Sequence, residues 1–169
     1  MEQPTLIIQD LSCAGQVSLT AALPILGATG CHPAVLPTAL LSTHTGGFGN
    51  NTYLDLSNEI SKIIKHWEAV PLTFSYILLG YLGKKVPPII TKHLPEITSD
   101  KAIILLDPVM ADNGRLYQGF DLNYVAQIKK LAEQAKILTP NLTEAELLLG
   151  LPLTTTSFVK SSYAQKVLT

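Results

Sequence analysis

Short apolar runs alternate with amphipathic helical stretches along most of the chain. Runs of strand length occupy residues 5–9, 33–36, 74–79, 102–106 and 137–138. Apolar residues at helical spacing fall in residues 17–26, 56–67, 88–94, 122–134 and 143–149. Because parallel neighbouring strands need crossover connections, this alternation predicts an α/β fold with a mostly parallel central sheet flanked by helices on both faces.

Three local signals refine these elements. Pro24 is expected to kink or end the first helix, since proline removes a helical hydrogen bond. Gly150 is placed to cap the last helix. A loop rich in glycine and threonine fills residues 42–52, and no internal repeat or low-complexity linker separates the elements.

Composition narrows the class of protein. The 169 residues are 47% hydrophobic and 15% charged with a formal charge of -1, which fits one globular domain over residues 1–169. The balanced charge predicts no nucleic-acid partner and no membrane partner. The apolar runs are too short to span a bilayer and the N-terminus lacks a signal peptide, so we expect a cytoplasmic protein. Cys13 and Cys31 lack metal-ligand spacing and are expected to be reduced thiols.

Candidate chemistry follows the strands, because ligands of such sheets bind beyond the carboxyl ends. Neither a Gly-x4-Gly-Lys-Ser/Thr loop nor a Gly-x-Gly-x-x-Gly loop follows a strand, which disfavours P-loop ATPases and Rossmann dehydrogenases. Asp107 and Asp112 follow the fourth strand, where carboxylates suit a hydrated Mg²⁺ beside nucleotide phosphates. Asp-Pro and Asp-Asn-Gly are also ordinary turn sequences, so a structural role stays open.

Two further segments have both structural and functional interpretations. Asn141 and Glu144 have capping-box spacing at a helix start, which is also a place where phosphates bind. Residues 42–49 combine hydroxyls, an imidazole and three glycines, as suits a clamp around a polar aromatic substrate or a plain loop. Tyr81 and Tyr117 are candidates to contact such a ring, although tyrosines often serve as packing residues.

In chain order, five segments resemble the successive motifs of the pyridoxal kinases of the ribokinase-like superfamily. They read Gln-Asp-Leu-Ser from residue 9, Ser-Thr-His-Thr-Gly from 42, Gly-Tyr-Leu-Gly from 80, Asp-Pro-Val-Met from 107 and Thr-Pro-Asn-Leu-Thr-Glu-Ala-Glu from 139. The match covers essentially the whole chain. The resemblance implies ATP-dependent phosphorylation of the 5'-hydroxymethyl group of pyridoxal, pyridoxine or pyridoxamine, with Mg²⁺, a possible monovalent cation and a homodimeric assembly.

The resemblance also implies roles for individual residues. Its vitamin-binding positions are Asp10, Thr45, Gly46, Tyr81 and Tyr117. Its ATP-binding positions are Asp107, Thr139, Asn141 and Glu144, of which Asp107 and Glu144 are the expected metal residues. Many family members have serine where this chain has Asp10, and an aspartate there suits a protonated ring nitrogen or a hydroxyl.

The family's catalytic aspartate has no counterpart in the sequence. It stands in a Gly-rich anion hole, which the resemblance places beyond Thr169, so the chain is expected to be an N-terminal portion with impaired catalysis. Two alternatives stay open. One is a hydroxymethylpyrimidine kinase of the same superfamily, and the other is a non-catalytic fragment or paralogue that only binds the vitamin.

Overall fold

A computed structural model of the chain describes residues 4–154, which form eight strands and five helices. The strands are β1 (Thr5–Ser12), β2 (Ala34–Leu41), β3 (Tyr53–Asp55), β4 (Phe74–Leu79), β5 (Thr98–Leu106), β6 (Ala111–Asp112), β7 (Arg115–Leu116) and β8 (Ile137–Leu138). The helices are α1 (Leu19–Ala28), α2 (Ser57–Ala69), α3 (Val86–Ile97), α4 (Leu122–Ala132) and α5 (Leu142–Leu149).

Six strands form one sheet in the order β3-β2-β1-β4-β5-β8. The neighbouring pairs β2–β1, β1–β4, β4–β5 and β5–β8 are parallel. The edge strand β3 is antiparallel to β2. Strands β6 and β7 pair separately as a short hairpin. The predicted mostly parallel α/β fold is confirmed, and its strand ends lie along one edge as the site hypothesis requires.

The apolar core lies mainly between the sheet and three helices. Leu6 and Ile8 of β1 belong to one buried cluster with side chains of α2, α3 and α4. Ile7 points to the opposite face, because successive strand residues alternate, and α1 packs against β1 through the buried Leu19. No helix among residues 4–154 is long and apolar enough to cross a membrane.

Most predicted elements are present with shifted ends. The strands at 74–79 and 137–138 match, and Gly150 has the left-handed conformation expected of a helix cap, with φ of 70°. Pro24 was expected to kink or end its helix. It does not end the helix, since α1 continues through Pro24 to Ala28. Pro24 lies on the exposed side of α1, where the lost helical hydrogen bond can be replaced by water.

Candidate functional site

A cavity of about 530 Å³ opens at the carboxyl edge of the sheet. Four of the five residues predicted to bind the vitamin contribute to its wall, and the volume suits a small aromatic ligand. The wall is made of Asp10, Ser12, Val17, Ser18, Leu41, His44, Thr45, Tyr81, Val109, Tyr117, Gln118 and Phe120. The sheet topology therefore brings together side chains that are more than a hundred residues apart in the sequence.

Asp10 places a buried carboxylate in this wall near the end of β1. Only 5% of the residue is exposed, and the Ser12 hydroxyl donates to its Oδ2 at 3.3 Å. Burial raises the pKa of Asp10, and hydrogen bonds from Ser18 and Ser12 oppose that rise. No basic side chain of residues 4–154 forms an ion pair with it. The carboxylate is therefore available to a ligand that brings an N–H donor or a positive charge.

The loop after β2 supplies Thr45 and is held at both ends. Its base is closed by Thr52, whose N–H donates to Ser42 Oγ at 2.9 Å. Above it, the His44 N–H donates to the carbonyl of Ala14 at 3.1 Å, which joins this loop to the one after β1. Gly46 does not line the cavity, and its N–H donates to His44 Nδ1 at 3.1 Å. Gly46 thus orients the imidazole beside Thr45.

Tyr81 lies in the turn after β4, and two glycines explain the shape of that turn. A Cβ atom on Gly80 would lie 2.7 Å from Cδ of the buried Gln9 side chain. Gly83 has φ of 68°, which is in the region that favours glycine. The Thr38 hydroxyl donates to the Tyr81 carbonyl at 2.9 Å, so the turn is also tied to β2. The Gly-Tyr-Leu-Gly motif therefore has a structural reason at each glycine.

Aromatic side chains form the far wall of the cavity. Phe120 contacts Tyr81 with ring centroids 5.8 Å apart and stacks on Tyr124 at 3.9 Å. Tyr117 is 41% exposed, and burial followed by the charges of Asp112, Glu144 and Asp107 raises its pKa. Tyr117 therefore stands between the cavity and the acidic residues.

Asp107 and Glu144 share this edge, and the charge of Asp107 acts on Glu144. Burial is the main cause that raises the pKa of Glu144, and the Asp107 charge adds to it. Burial also raises the pKa of Asp107, whose half-buried carboxylate accepts no hydrogen bond from residues 4–154. Asp107 therefore has free oxygen ligands, as a cation between the protein and phosphates requires.

Glu144 is already engaged as the anchor of the loop after β5. Its Oε1 accepts from the Met110 N–H at 3.1 Å, and its Oε2 accepts from the Asn141 N–H at 3.0 Å. Asn141 Oδ1 accepts from the Glu144 N–H in return, which completes the predicted capping box of α5. Asn141 also donates to the Ala111 carbonyl at 2.8 Å. With 3% exposure, Glu144 reaches a metal less readily than Asp107 does.

Thr139 lies at the carboxyl end of β8 and is exposed at the same sheet edge. Its N–H donates to the Leu106 carbonyl at 3.1 Å, which continues the parallel pairing and leaves the hydroxyl side chain available. Eight of the twelve wall residues were not predicted as site residues, among them Ser12, Ser18 and Phe120. Ser18 has φ of 49°, a conformation that carries no sequence signal in a serine.

Comparisons with known proteins identify the family and agree with the fold. The family model for phosphomethylpyrimidine kinase matches residues 17–168. A pyridoxal kinase of Arabidopsis thaliana is 30% identical over 166 residues, which cover 88% of this chain and 53% of the relative. The crystal structure of pyridoxal kinase from Lactobacillus plantarum is 42% identical with a TM-score of 0.85, covering 92% of this chain and 56% of that one.

A third relative was solved with ligands. Pyridoxal kinase from Leishmania donovani in complex with ADP and pyridoxamine is 25% identical with a TM-score of 0.83, covering 99% of this chain and 58% of that one. The chain thus spans about half the length of the relatives it matches. With the parallel sheet, the acidic edge and the family match over most of its length, the chain belongs to the phosphomethylpyrimidine kinase family of the ribokinase-like superfamily and is related to pyridoxal kinases.

Proposed function

We propose that this chain carries the vitamin-binding and ATP-binding edge of a kinase that phosphorylates the 5'-hydroxymethyl group of pyridoxal, pyridoxine or pyridoxamine. The observation that carries the proposal is one cavity lined by Asp10, Thr45, Tyr81 and Tyr117, with Asp107 near enough for its charge to act on Tyr117. The relatives named as pyridoxal kinases, one of them solved with ADP and pyridoxamine, support the same substrates.

Asp10 is the proposed anchor for the vitamin ring. Its buried carboxylate has hydroxyl partners but no cation, so a protonated pyridine nitrogen would supply the missing charge through a charge-assisted hydrogen bond. Tyr81 and Phe120 offer aromatic surface to the ring, and the Thr45 hydroxyl offers a polar contact to its substituents. This set matches a small ring that is apolar on its faces and polar at its edge.

Asp107 is the proposed principal ligand of Mg²⁺, and Glu144 supports it by fixing the loop that follows. The free, half-buried carboxylate of Asp107 fits a hard cation that prefers oxygen. When bound, the ion neutralises negative charge on the nucleotide phosphates. Thr139 and Asn141 are the proposed nucleotide contacts beside it. A monovalent cation belongs to the proposal through the resemblance alone, and no described residue is assigned to it.

In the proposed reaction, the 5'-hydroxyl oxygen of the vitamin forms a bond to the γ-phosphorus of ATP while the bond to ADP breaks, and the hydroxyl proton passes to a base. Asp10 is the one carboxylate in the cavity wall among residues 4–154, and its serine contacts fit ring binding. The base is therefore assigned to no described residue. Its location beyond Thr169 stays a prediction.

Ligand binding by the 169-residue chain tests the proposal directly. Calorimetric titration with pyridoxal should give saturable binding, and hydroxymethylpyrimidine should bind more weakly under the same conditions. Tighter binding of hydroxymethylpyrimidine would favour that kinase instead. Product formation by this chain at a normal rate, when Mg-ATP is present, would contradict the expectation of impaired catalysis.

We also propose that the chain acts in the cytoplasm and forms a homodimer. Exposed apolar side chains on one edge support the second part: Leu40 of β2 is paired with Leu54 of β3, and they are 37% and 56% exposed. Ile25 of α1 is 64% exposed. Such side chains are expected where two copies meet. Sedimentation analysis should give twice the monomer mass, and a monomer at micromolar concentration would contradict the dimer.

A further inference from the structure

The cavity wall at Tyr81 is held from outside by the edge strand β3. Lys85, at the end of the turn after β4, forms an ion pair with Asp55 of β3, with Nζ and Oδ2 2.9 Å apart. Asp55 also accepts from the Ser57 N–H at 2.8 Å, which fixes the carboxylate at the start of α2. The turn that carries Tyr81 is therefore tied to β3 as well as to β2.

Tyr53 of β3 reaches over the same turn and fills the space that Gly83 leaves open. A Cβ atom on Gly83 would lie 2.6 Å from the Tyr53 hydroxyl oxygen and 3.9 Å from Cε1 of Tyr81. These distances place the Tyr53 hydroxyl and the edge of the Tyr81 ring on the same side of the Gly83 backbone. Any larger residue at position 83 would push one of them away.

The two phenol groups also interact with each other. Burial is the largest cause that raises the pKa of Tyr81, and the interaction with Tyr53 lowers it. For Tyr53, burial again raises the pKa most, and the contact with Tyr81 raises it further. The two phenol groups therefore lie close enough, beside Gly83, for each to change the pKa of the other.

We infer that Tyr53 is a positioning residue for the vitamin pocket: its side chain packs over Gly83 beside the edge of the Tyr81 ring and holds that ring as a wall of the cavity. Tyr53 itself does not line the cavity. The inference rests on the proposed function for its ligand, but its geometry stands on the described residues alone. It also gives the antiparallel strand β3 a role in shaping the pocket.

The first experiment separates positioning from general stability. Tyr53→Phe keeps the ring and removes the hydroxyl that lies beside Tyr81, so the Kd for pyridoxal should rise about 3- to 10-fold. The Kd for Mg-ADP should not change, because Asp107 and α5 lie outside the contact. Tyr76→Phe is the matched control, since Tyr76 is exposed on β4 and does not line the cavity. An unchanged Kd for pyridoxal, or an equal loss of both ligands, overturns the inference.

A double-mutant cycle then tests whether the effect passes through Tyr81. Tyr81→Phe removes the other hydroxyl of this contact, so the double variant should bind pyridoxal no more weakly than Tyr81→Phe alone. Fully additive losses would show that Tyr53 acts by another route, which also overturns the inference.

A third measurement needs no ligand and so distinguishes a failure of the inference from a failure of the proposed function. Gly83→Ala should lower the urea midpoint, and Tyr53→Phe should restore part of it in that background by removing the clashing oxygen. If pyridoxal does not bind the native chain, the proposed function fails while this coupling still reports on the contact. Absence of any rescue by Tyr53→Phe overturns the contact itself.

Discussion

Asp10 shows how a single residue can be unfavourable for folding and useful for binding. A carboxylate that is 95% buried and bonded to serine hydroxyls keeps much of its desolvation cost, which is why burial raises its pKa. When the pKa of a carboxyl is higher in the folded state than in the unfolded state, its protonated form stabilises the fold. That stabilisation is lost as pH rises through the pKa of the folded state. At neutral pH, the ionised Asp10 therefore lowers the stability of the ligand-free protein.

The substitution Asp10→Asn should consequently act in opposite directions on stability and binding. The free energy of unfolding at pH 7 should increase, and the gain should shrink as pH falls and Asp10 becomes protonated in the native chain. Affinity for pyridoxal should fall by about 1.5–3 kcal/mol, the usual contribution of a hydrogen bond to a charged group. Urea unfolding and calorimetric titration measure the two effects. A variant that loses stability and binding together would indicate a structural role instead.

Asp107 should affect the nucleotide and leave the vitamin largely alone. Asp107→Asn keeps the shape of the side chain and removes the charge proposed to hold Mg²⁺, so Mg-ATP affinity should fall about tenfold or more while pyridoxal affinity changes little. Titration of each ligand, with and without Mg²⁺, gives the comparison. Equal losses of both ligands would argue for misfolding and against a metal role.

Thr45 tests the loop after β2. Thr45→Val keeps the volume and deletes the hydroxyl, so a polar group of the vitamin loses its partner and affinity should fall by about 1–3 kcal/mol. The exposed Thr29 at the end of α1 offers a control, because its hydroxyl bonds only to the nearby Leu26 carbonyl. Unchanged pyridoxal binding by a folded Thr45→Val variant would remove Thr45 from the proposed site.

At the level of elements, the sequence predicted strands with continuous apolar runs and missed elements that are ordered by contacts with distant residues. The central strands β4 and β5 were predictable because their apolar runs are continuous over residues 76–79 and 102–106. Strand β3 was missed because it is three residues long, half exposed, and ordered by pairing with β2 across a loop. Phe120 was missed at the site for the same reason, because its role depends on stacking against Tyr124, which the local sequence pattern does not show.

Helix α5 shows an element whose predicted cap also builds the site. Its capping box was readable from Asn141 and Glu144, but the reach of Glu144 to Met110 and of Thr143 to Gly114 was not. These longer contacts fasten the β6–β7 hairpin to the start of α5. The acidic edge therefore depends on tertiary hydrogen bonds as well as on the order of motifs.

Removal of the Glu144 side chain should loosen this connection. Glu144→Ala leaves the N–H groups of Met110 and Asn141 without their acceptor, and buried donors without partners cost about 1–3 kcal/mol each. Relief of the repulsion with Asp107 offsets part of that loss. Urea unfolding should still show a clear decrease, whereas Glu133→Ala at the exposed end of α4 should change stability by less than about 0.5 kcal/mol. Equal stability of the two variants would contradict the anchoring role.

At the scale of the whole molecule, the two proposed ligand sites are neighbours on one sheet edge. Tyr117 belongs to the cavity and also lies within the influence of Asp107, Asp112 and Glu144. The vitamin and the nucleotide would thus share a wall, as a direct transfer between them requires. We propose that residues 1–169 form a single domain, of which the structure describes residues 4–154.

Ligand-linked stability tests this joint site in one experiment. A ligand that binds only the folded state at 100 times its Kd adds about 2.7 kcal/mol, which for a chain of this length corresponds to a rise in Tm of roughly 5–11 °C. Pyridoxal and Mg-ATP should each produce such a rise, and hydroxymethylpyrimidine a smaller one than pyridoxal at equal concentration. Asp10→Asn should lose most of the pyridoxal response and keep the Mg-ATP response, while Asp107→Asn should show the reverse. If each variant lost both responses, the cavity and the acidic edge would be one inseparable unit and the assignment of Asp10 to the vitamin and Asp107 to the metal would be wrong.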